Sequence, residues 1–191
     1  MVLSRIRRWK VDEFYQMAQT GLLQPDEQVE LLEGQIIQMT PQGPLHAATT
    51  DYTADLLKDA LLGKALIRVE KPLRISDYSE PQPDVAVVHL HPRRYADEHP
   101  RPDQVYLLVE ISDSSLDYDC ETKASLYAQA RIHDYWVLDA RNRQLTVFRD
   151  PQQGRYTQTV ILDENARIAP SAFPNVELTV KGMLLPAIDL I

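Results

Sequence analysis

The 191-residue sequence is poor in cysteine, and Cys120 alone excludes an internal disulfide framework and a zinc site built from several cysteines. This scarcity favours a reducing, cytoplasmic setting. Long hydrophobic runs are also missing, because the longest strongly apolar stretch, residues 105–109, is far shorter than the roughly 18 residues of a membrane helix. No apolar segment follows the basic N-terminus, so we expect neither a secretory signal nor a membrane partner.

Positive charge is scarce as well. The sequence has 20 Lys and Arg residues against 28 Asp and Glu residues, which gives a net charge of −8. This balance excludes a protein that coats nucleic acid by charge alone, because such binding needs a basic surface. It does not exclude an enzyme acting on nucleic acid, because phosphodiester-cleaving sites use clustered carboxylates to hold metal ions. The rest of the composition is that of an ordinary globular protein, and one domain over residues 1–191 is expected.

The spacing of apolar residues predicts three helices, at residues 9–21, 46–62 and 117–130. Asp12 is predicted to cap the first helix, and Gly21 to follow its end. A hairpin is predicted at residues 29–39 with its turn at 33–34, and further strands at 65–75, 84–88, 105–111, 134–139, 144–149, 155–162 and, at a sheet edge, 174–185. Together these elements predict an α/β fold with a mixed central β-sheet flanked by helices.

Two of the predicted strands bring carboxylates together. If they form an antiparallel hairpin in which Val88 pairs near Val105, the partner of Asp84 falls at about Glu110, because paired residue numbers keep a constant sum. Directly opposite residues have Cβ atoms about 4.5–5.5 Å apart, so the two carboxylates would repel each other. The hairpin therefore predicts a cation between them. Mg²⁺ is the natural candidate, with Mn²⁺ as a substitute, because hard cations prefer oxygen ligands.

The predicted helix 117–130 places Asp119, Lys123 and Tyr127 on one face, since they are spaced four residues apart. The helix follows directly after the strand that carries Glu110. Lys123 is therefore expected to reach back to the carboxylates, where it would orient a nucleophilic water or neutralise a phosphate.

Three further residues are candidates for supporting roles. Ser112 lies two residues after Glu110 and so on the same face of that strand. Glu30 is an additional carboxylate that can join the site through a water or a second metal. His46 lies at a predicted helix start, where it can contact a phosphate or serve as a cap.

Plainer interpretations of these residues stay open at this point. Asp84 can be a turn residue at a strand start, and Glu110 can pair with any nearby base. Asp119 and Lys123 can form an ordinary exposed ion pair. The loop 90–104 is expected to be a solvated surface, and two weaker alternatives exist for it. One is a zinc site formed by His89, His91, Asp97, Glu98 and His99. The other is a basic patch that contacts phosphate, formed by Arg93, Arg94 and Arg101.

Several motifs in a fixed order resemble one known family. They are VELLEGQI at 29–36, MTP at 39–41 with His46, PDVAVV at 83–88, VEIS at 109–112, LDYD at 116–119, Lys123 with LY at 126–127, and DYWVLD at 134–139. Over about residues 10–185 the chain resembles the Uma-type restriction endonuclease family of the PD-(D/E)XK nuclease superfamily.

The resemblance implies a restriction endonuclease-like core. It also implies that Asp84 and Glu110 bind the metal with the Ile111 carbonyl as a third ligand, and that Glu30 is an accessory acid. The superfamily's usual lysine position, two residues after the glutamate, is Ser112 here, and the family's helix lysine, Lys123, takes its place. Two further departures are Ser112-Asp113-Ser114-Ser115 in place of Ser-Pro-Ser, and Arg131 in place of a glycine before the last motif.

The sequence thus predicts a Mg²⁺-dependent endonuclease in which Asp84, Glu110, Lys123 and Glu30 are catalytic, and Asp119, Ser112, His46 and Tyr127 support them. The expected substrate is DNA rather than RNA, and a homodimer would suit double-strand cutting. The alternative is a module that binds nucleic acid or protein on a nuclease fold without cleaving it.

Overall fold

The core of the protein is a six-stranded mixed sheet in the order β3-β4-β5-β6-β7-β8. A computed structural model describes residues 6–186. Every neighbouring pair in this sheet is antiparallel except β5 and β6, which run parallel. The strands are β3 (Leu66–Val69), β4 (Val85–Val88), β5 (Val105–Ser112), β6 (Asp134–Asp139), β7 (Gln144–Gln152) and β8 (Arg155–Asp163). The predicted mixed sheet is confirmed.

Helices and two small sheets complete the fold. The helices are α1 (Val11–Gln19), α2 (Pro44–Ala60), α3 (Ala124–Gln129) and α4 (Val180–Met183), with a 3₁₀ turn at Pro102–Gln104 and a π-helical segment at Tyr118–Lys123. The small sheets pair β1 (Val29–Leu32) with β2 (Gln35–Gln38), and β9 (Arg167–Ile168) with β10 (Leu178–Thr179). No helix within residues 6–186 has the length and apolar character needed to cross a membrane.

Two apolar layers cover the two faces of the sheet. In β4 the side chains of Val85 and Val87 pack on the α2 side with Leu57, whereas Ala86 and Val88 pack on the opposite side. All four β4 side chains are buried, as expected for a central strand covered on both faces. The parallel pair β5 and β6 needs a crossover, and the π-helical segment with α3 supplies it.

The predicted helix at 117–130 is present, but its first part is π-helical. An α-helix has 3.6 residues per turn, and a π-helical turn is wider, so this stretch inserts extra backbone into the start of the helix. Short π segments are frequent at functional sites. The apolar spacing in the sequence predicts the helix but not this local widening.

The first helix lies within the predicted range 9–21, but its cap differs from the predicted one. Its N-cap is Lys10, and Asp12 lies inside the first turn, so the prediction that Asp12 caps the helix is wrong. The Glu13 carboxylate accepts a hydrogen bond from the Lys10 backbone N–H, which supplies the capping contact instead. Gly21 follows the helix end with a φ of 75°, as predicted.

Two predicted strands are too long. The predicted strand 65–75 ends at Val69, because Glu70 adopts a φ of 48° and Pro72 has no N–H to donate. The predicted strand 174–185 is wrong for most of its length: only Leu178–Thr179 is extended, and α4 follows. Val180, Met183 and Leu184 are buried in this region, and that spacing of three and four residues is helical.

Candidate active site

The two central strands bring Asp84 and Glu110 together. Val85 pairs with Val109 and Ala86 with Leu108, so the same register puts Asp84 opposite Glu110, and the predicted register is confirmed. The backbone N–H of Asp84 donates a hydrogen bond to Glu110 Oε2 at 3.3 Å. The two residues are nearly inaccessible to solvent, with Asp84 8% and Glu110 1% exposed.

Local contacts fix the conformation of Asp84. Its Oδ2 atom accepts hydrogen bonds from the Ile111 backbone N–H at 2.7 Å and from His46 Nε2 at 3.1 Å. Its backbone carbonyl accepts the Glu70 N–H at 3.0 Å. Within residues 6–186 the Oδ1 atom accepts no hydrogen bond, so one carboxylate oxygen is held by the protein and the other is free to bind a ligand.

Glu110 is held by the crossover helix. Lys123 Nζ lies 3.0 Å from Glu110 Oε1, and the Tyr127 hydroxyl donates to the same oxygen at 2.8 Å. Lys123 and Tyr127 contact the same oxygen of Glu110, and Asp119 and Lys123 line the same cleft, which confirms that the three share one face. The alternative of an exposed Asp119–Lys123 ion pair is wrong, because neither residue is exposed and the lysine pairs with Glu110.

Asp119 lies at the start of the π-helical segment and faces the same site. Its Oδ2 atom accepts a 2.6 Å hydrogen bond from the Ser115 hydroxyl. Burial, together with the charge of Glu110, raises the pKa of Asp119 to about 7. Ser112 is also buried, and its hydroxyl oxygen lies 3.5 Å from that of Ser115.

Glu30 and His46 reach the site from the N-terminal part of the chain. Glu30 is in β1, 3% exposed, and its Oε2 atom accepts the Gln82 backbone N–H at 3.1 Å. Burial raises the pKa of Glu30, although the charge of Lys123 opposes the rise. Burial lowers the pKa of His46, whose Nε2 atom faces Asp84 Oδ2.

The site carries four carboxylates and a single lysine. Burial raises the pKa of Asp84 well above its usual value, and the nearby Glu110 raises it further. Burial opposes the charge on Lys123, but the surrounding carboxylates, Glu110 first, hold its pKa above the ordinary value. When all four carboxylates are ionised, the cluster carries more negative charge than its lysine balances, and either a proton or a bound cation would relieve the repulsion.

These groups line an open cleft of about 600 Å³. Seven of the predicted site residues border it, namely Glu30, His46, Asp84, Glu110, Ile111, Asp119 and Lys123. Ser112 and Tyr127 lie behind this lining, where Ser112 is next to Ser115 and Tyr127 donates a hydrogen bond to Glu110. The sequence assigned no role to Gln82, Ser115 and Tyr118, which also border the cleft. Of these, Ser115 had a detectable signal, because it lies four residues before Asp119 on the same helical approach.

A metal held by Asp84 and Glu110 would need further ligands besides these two side chains. Within residues 6–186 no three His, Cys, Asp or Glu side chains are grouped so that they could hold a metal ion. The zinc alternative in the loop 90–104 therefore has no support. Asp84 and Glu110 remain a fitting pair for Mg²⁺, which is usually bound by one or two carboxylates together with water and substrate phosphates. The charge excess described above supports the same fit.

The basic patch in that loop is partly neutralised by its own neighbours. Arg93 pairs with Asp97, and Arg101 with Glu98, all of them exposed. None of these residues borders the cleft. The patch is thus a solvated surface rather than part of this site.

The comparisons with known proteins agree with the fold. A family model, Uma2, with the description "Putative restriction endonuclease", matches residues 11–181. A solved structure from Anabaena variabilis ATCC 29413, described as a putative nuclease belonging to DUF820, is similar with a TM-score of 0.68 and 21% identity, covering 91% of this chain and 96% of that one. No curated protein matches. At that identity the solved structure shows the fold, and the expected α/β architecture is confirmed. Because the family model spans most of the sequence, the chain belongs to the Uma2 family of putative restriction endonucleases.

Proposed function

We propose that the protein is a metal-dependent endonuclease that hydrolyses phosphodiester bonds in DNA. The observation that carries the proposal is the buried pair of Asp84 and Glu110 in the lining of an open cleft, with the Lys123 ammonium 3.0 Å from Glu110. Such a constellation combines oxygen donors with a fixed positive charge. Both are needed where a phosphate enters an acidic site.

Asp84, Glu110 and the backbone carbonyl of Ile111 would hold Mg²⁺, or Mn²⁺ as a substitute. When bound, the metal would lower the pKa of a coordinated water and stabilise the charge that develops on the phosphate. The chain prepares Asp84 for this role by occupying only its Oδ2 atom, with donors from Ile111 and His46. A ligand oxygen held in place by such donors loses little freedom on binding a metal.

Lys123 would act on the phosphate and on the attacking water. Its ammonium is fixed by Glu110 and buried beside the cleft, so it can donate a hydrogen bond to a phosphate oxygen without first being ordered. Tyr127 positions Glu110 through the shared Oε1 atom. Glu30 and Asp119 extend the acidic lining and can orient water around the metal. Lys123 thus compensates for Ser112, which stands where the superfamily has its strand lysine.

The test is Mn²⁺ binding by calorimetry, paired with cleavage of duplex DNA, single-stranded DNA and RNA. Asp84→Asn and Glu110→Gln should each weaken Mn²⁺ binding by tenfold or more and abolish metal-dependent cleavage. The matched control is Glu121→Gln, because Glu121 is an exposed acid in the same π-helical segment and does not border the cleft. It should bind and cleave like the wild type.

The alternative, a binding module without cleavage, predicts a different result. Wild type and Asp84→Asn would then bind nucleic acid equally well, and neither would cleave it with Mg²⁺ or Mn²⁺. Wild-type cleavage that survives in Asp84→Asn would refute the assignment of Asp84. Cleavage of RNA but not DNA would support the assignment of the site and refute the assignment of DNA as the substrate.

A further inference from the structure

Strand β8 forms one edge of the central sheet. It is nine residues long and pairs with β7 on one side, and within residues 6–186 no strand pairs with its other side. Most of its side chains are exposed, including Val160 at 53% and Ile161 at 65%. An open strand edge presents a row of unpaired N–H and C=O groups, which makes it a template for another strand.

This edge lacks the usual protection against pairing. Natural edge strands are kept short, or they carry Lys, Pro or a bulge. The opposite edge, β3, follows this rule with only four residues. In β8 the central segment YTQTVIL, 156–162, has no charge and no proline, and it is rich in β-branched residues. These features favour pairing of the β8 edge with another strand.

We propose that β8 pairs antiparallel with β8 of a second copy of this chain, around a two-fold axis at Thr159. The argument for a second copy, rather than some other partner, is that the strand matches itself in charge. Arg155 stands at one end of β8 and Asp163 at the other, with an uncharged stretch between them. In a self-pairing centred on Thr159 the paired numbers sum to twice 159, so each Arg155 lies opposite the other copy's Asp163.

Both charged ends are available for this pairing. Within residues 6–186 neither Arg155 nor Asp163 forms an ion pair. Asp163 uses its Oδ1 atom to accept the backbone N–H groups of Asn165 and Ala166, which leaves Oδ2 free. Opposite charges directly across an antiparallel pair stabilise it, and like charges destabilise it.

The same register also suits the middle of the strand. Ile161 lies opposite Thr157 of the second copy, and Val160 opposite Gln158. Thr159 lies opposite Thr159 of the second copy, and Thr–Thr pairs are favourable across neighbouring strands. A shift of two residues would put Arg155 opposite an uncharged side chain and lose both ion pairs. The charges therefore select one register.

The resulting dimer has one continuous sheet made from two six-stranded sheets. The axis that pairs two antiparallel edges is perpendicular to the sheet, so the two clefts lie at opposite ends of the strands. Each cleft is complete within its own chain. The inference is therefore independent of the proposed function, and either can fail without the other.

The test is sedimentation equilibrium of the full chain over a range of concentrations. The wild type should approach twice the mass of one chain. Arg155→Glu and Asp163→Lys should each raise the dimer dissociation constant by about tenfold or more, because each places like charges at both ends of the interface. An equimolar mixture of the two variants should recover the dimer, because opposite charges then meet at both ends.

Folding is checked separately. Circular dichroism should show wild-type secondary structure and a single cooperative thermal transition for Arg155→Glu, whose side chain is exposed. If Asp163→Lys loses its turn contacts and unfolds, Thr159→Lys replaces it, since it sets two lysines against each other on the axis and should also weaken the dimer about tenfold. A monomeric wild type at all concentrations overturns the proposal. A dimer that is indifferent to Arg155→Glu and Thr159→Lys overturns it as well, because the interface then lies elsewhere.

Discussion

Replacing Lys123 by methionine tests whether the site carboxylates depend on this one ammonium group. The side chain is 11% exposed, and its Nζ atom lies 3.0 Å from Glu110 Oε1. At that separation, with an effective dielectric constant near 20, the attraction is about 5 kcal/mol. Methionine keeps the length and apolar packing of the stem but removes the charge, so the buried Glu110 keeps its hydrogen bonds from Tyr127 and Asp84 but loses its opposite charge. Removing one member of a buried pair typically costs about 3–5 kcal/mol, and we expect a loss of that size in the free energy of unfolding.

The assay is urea unfolding at neutral pH in the presence of a chelator. Lys58→Met is the matched control, because Lys58 forms an exposed pair with Asp55 in α2 and should cost less than about 1 kcal/mol. The double variant Lys123→Met/Glu110→Gln should be more stable than Lys123→Met alone, since the uncompensated charge is gone. Saturating Mn²⁺ should restore part of the lost stability. A loss below about 1 kcal/mol for Lys123→Met, or equal stability of the single and double variants, would refute the reasoning.

Three further outcomes are expected. Tyr127→Phe removes a hydroxyl donor from buried Glu110 and should lower the free energy of unfolding by about 1–3 kcal/mol in urea titrations. Gly34→Ala should lower the free energy of unfolding more than Gly21→Ala in the same assay. Both glycines have positive φ, but a Cβ at Gly34 would meet neighbouring backbone, whereas a Cβ at Gly21 would meet open space. For Gly21→Ala a loss of about 1 kcal/mol is expected. The pKa of Asp119 is raised to about 7 from 3.8, so between these pH values the folded state binds a proton that the unfolded state lacks. The free energy of unfolding of the wild type should therefore fall relative to that of Asp119→Asn as pH rises from about 4 to 7. Unfolding measured across that range without metal should show this decline, and parallel pH profiles would contradict it.

The sequence predicts the centre of the site better than its surroundings. The pairing of Asp84 with Glu110 follows from a constant sum along an antiparallel ladder, which needs only two strands and a loop. The common face of Asp119, Lys123 and Tyr127 follows from helical spacing and survives the π-helical widening. Local periodicity is sufficient for both inferences, and both are confirmed.

Contacts between distant segments could not be predicted in this way. His46 donates to Asp84 across 38 residues of sequence, and this contact depends on how α2 packs against the sheet. Gln82 holds Glu30 for a similar reason. The strand predicted at 174–185 failed because short apolar runs fit both strand and helix, and packing against α2 selects the helix for Val180–Met183. The metal ligands, the DNA substrate and the cytoplasmic setting stay predictions.

The distance between the central strands and the β8 edge determines how the effects of substitutions at these two places combine. Glu110 is on β5, and three strand spacings, about 14 Å, separate β5 from β8. Effects of substitutions farther apart than about 7–10 Å generally add, so changes in the cleft and changes at the edge should be independent. An engineered pair of chains with complementary edge charges could therefore unite one altered cleft with one unaltered cleft in the same particle. With such a dimer, the assembly and the chemistry of the protein could be altered one at a time.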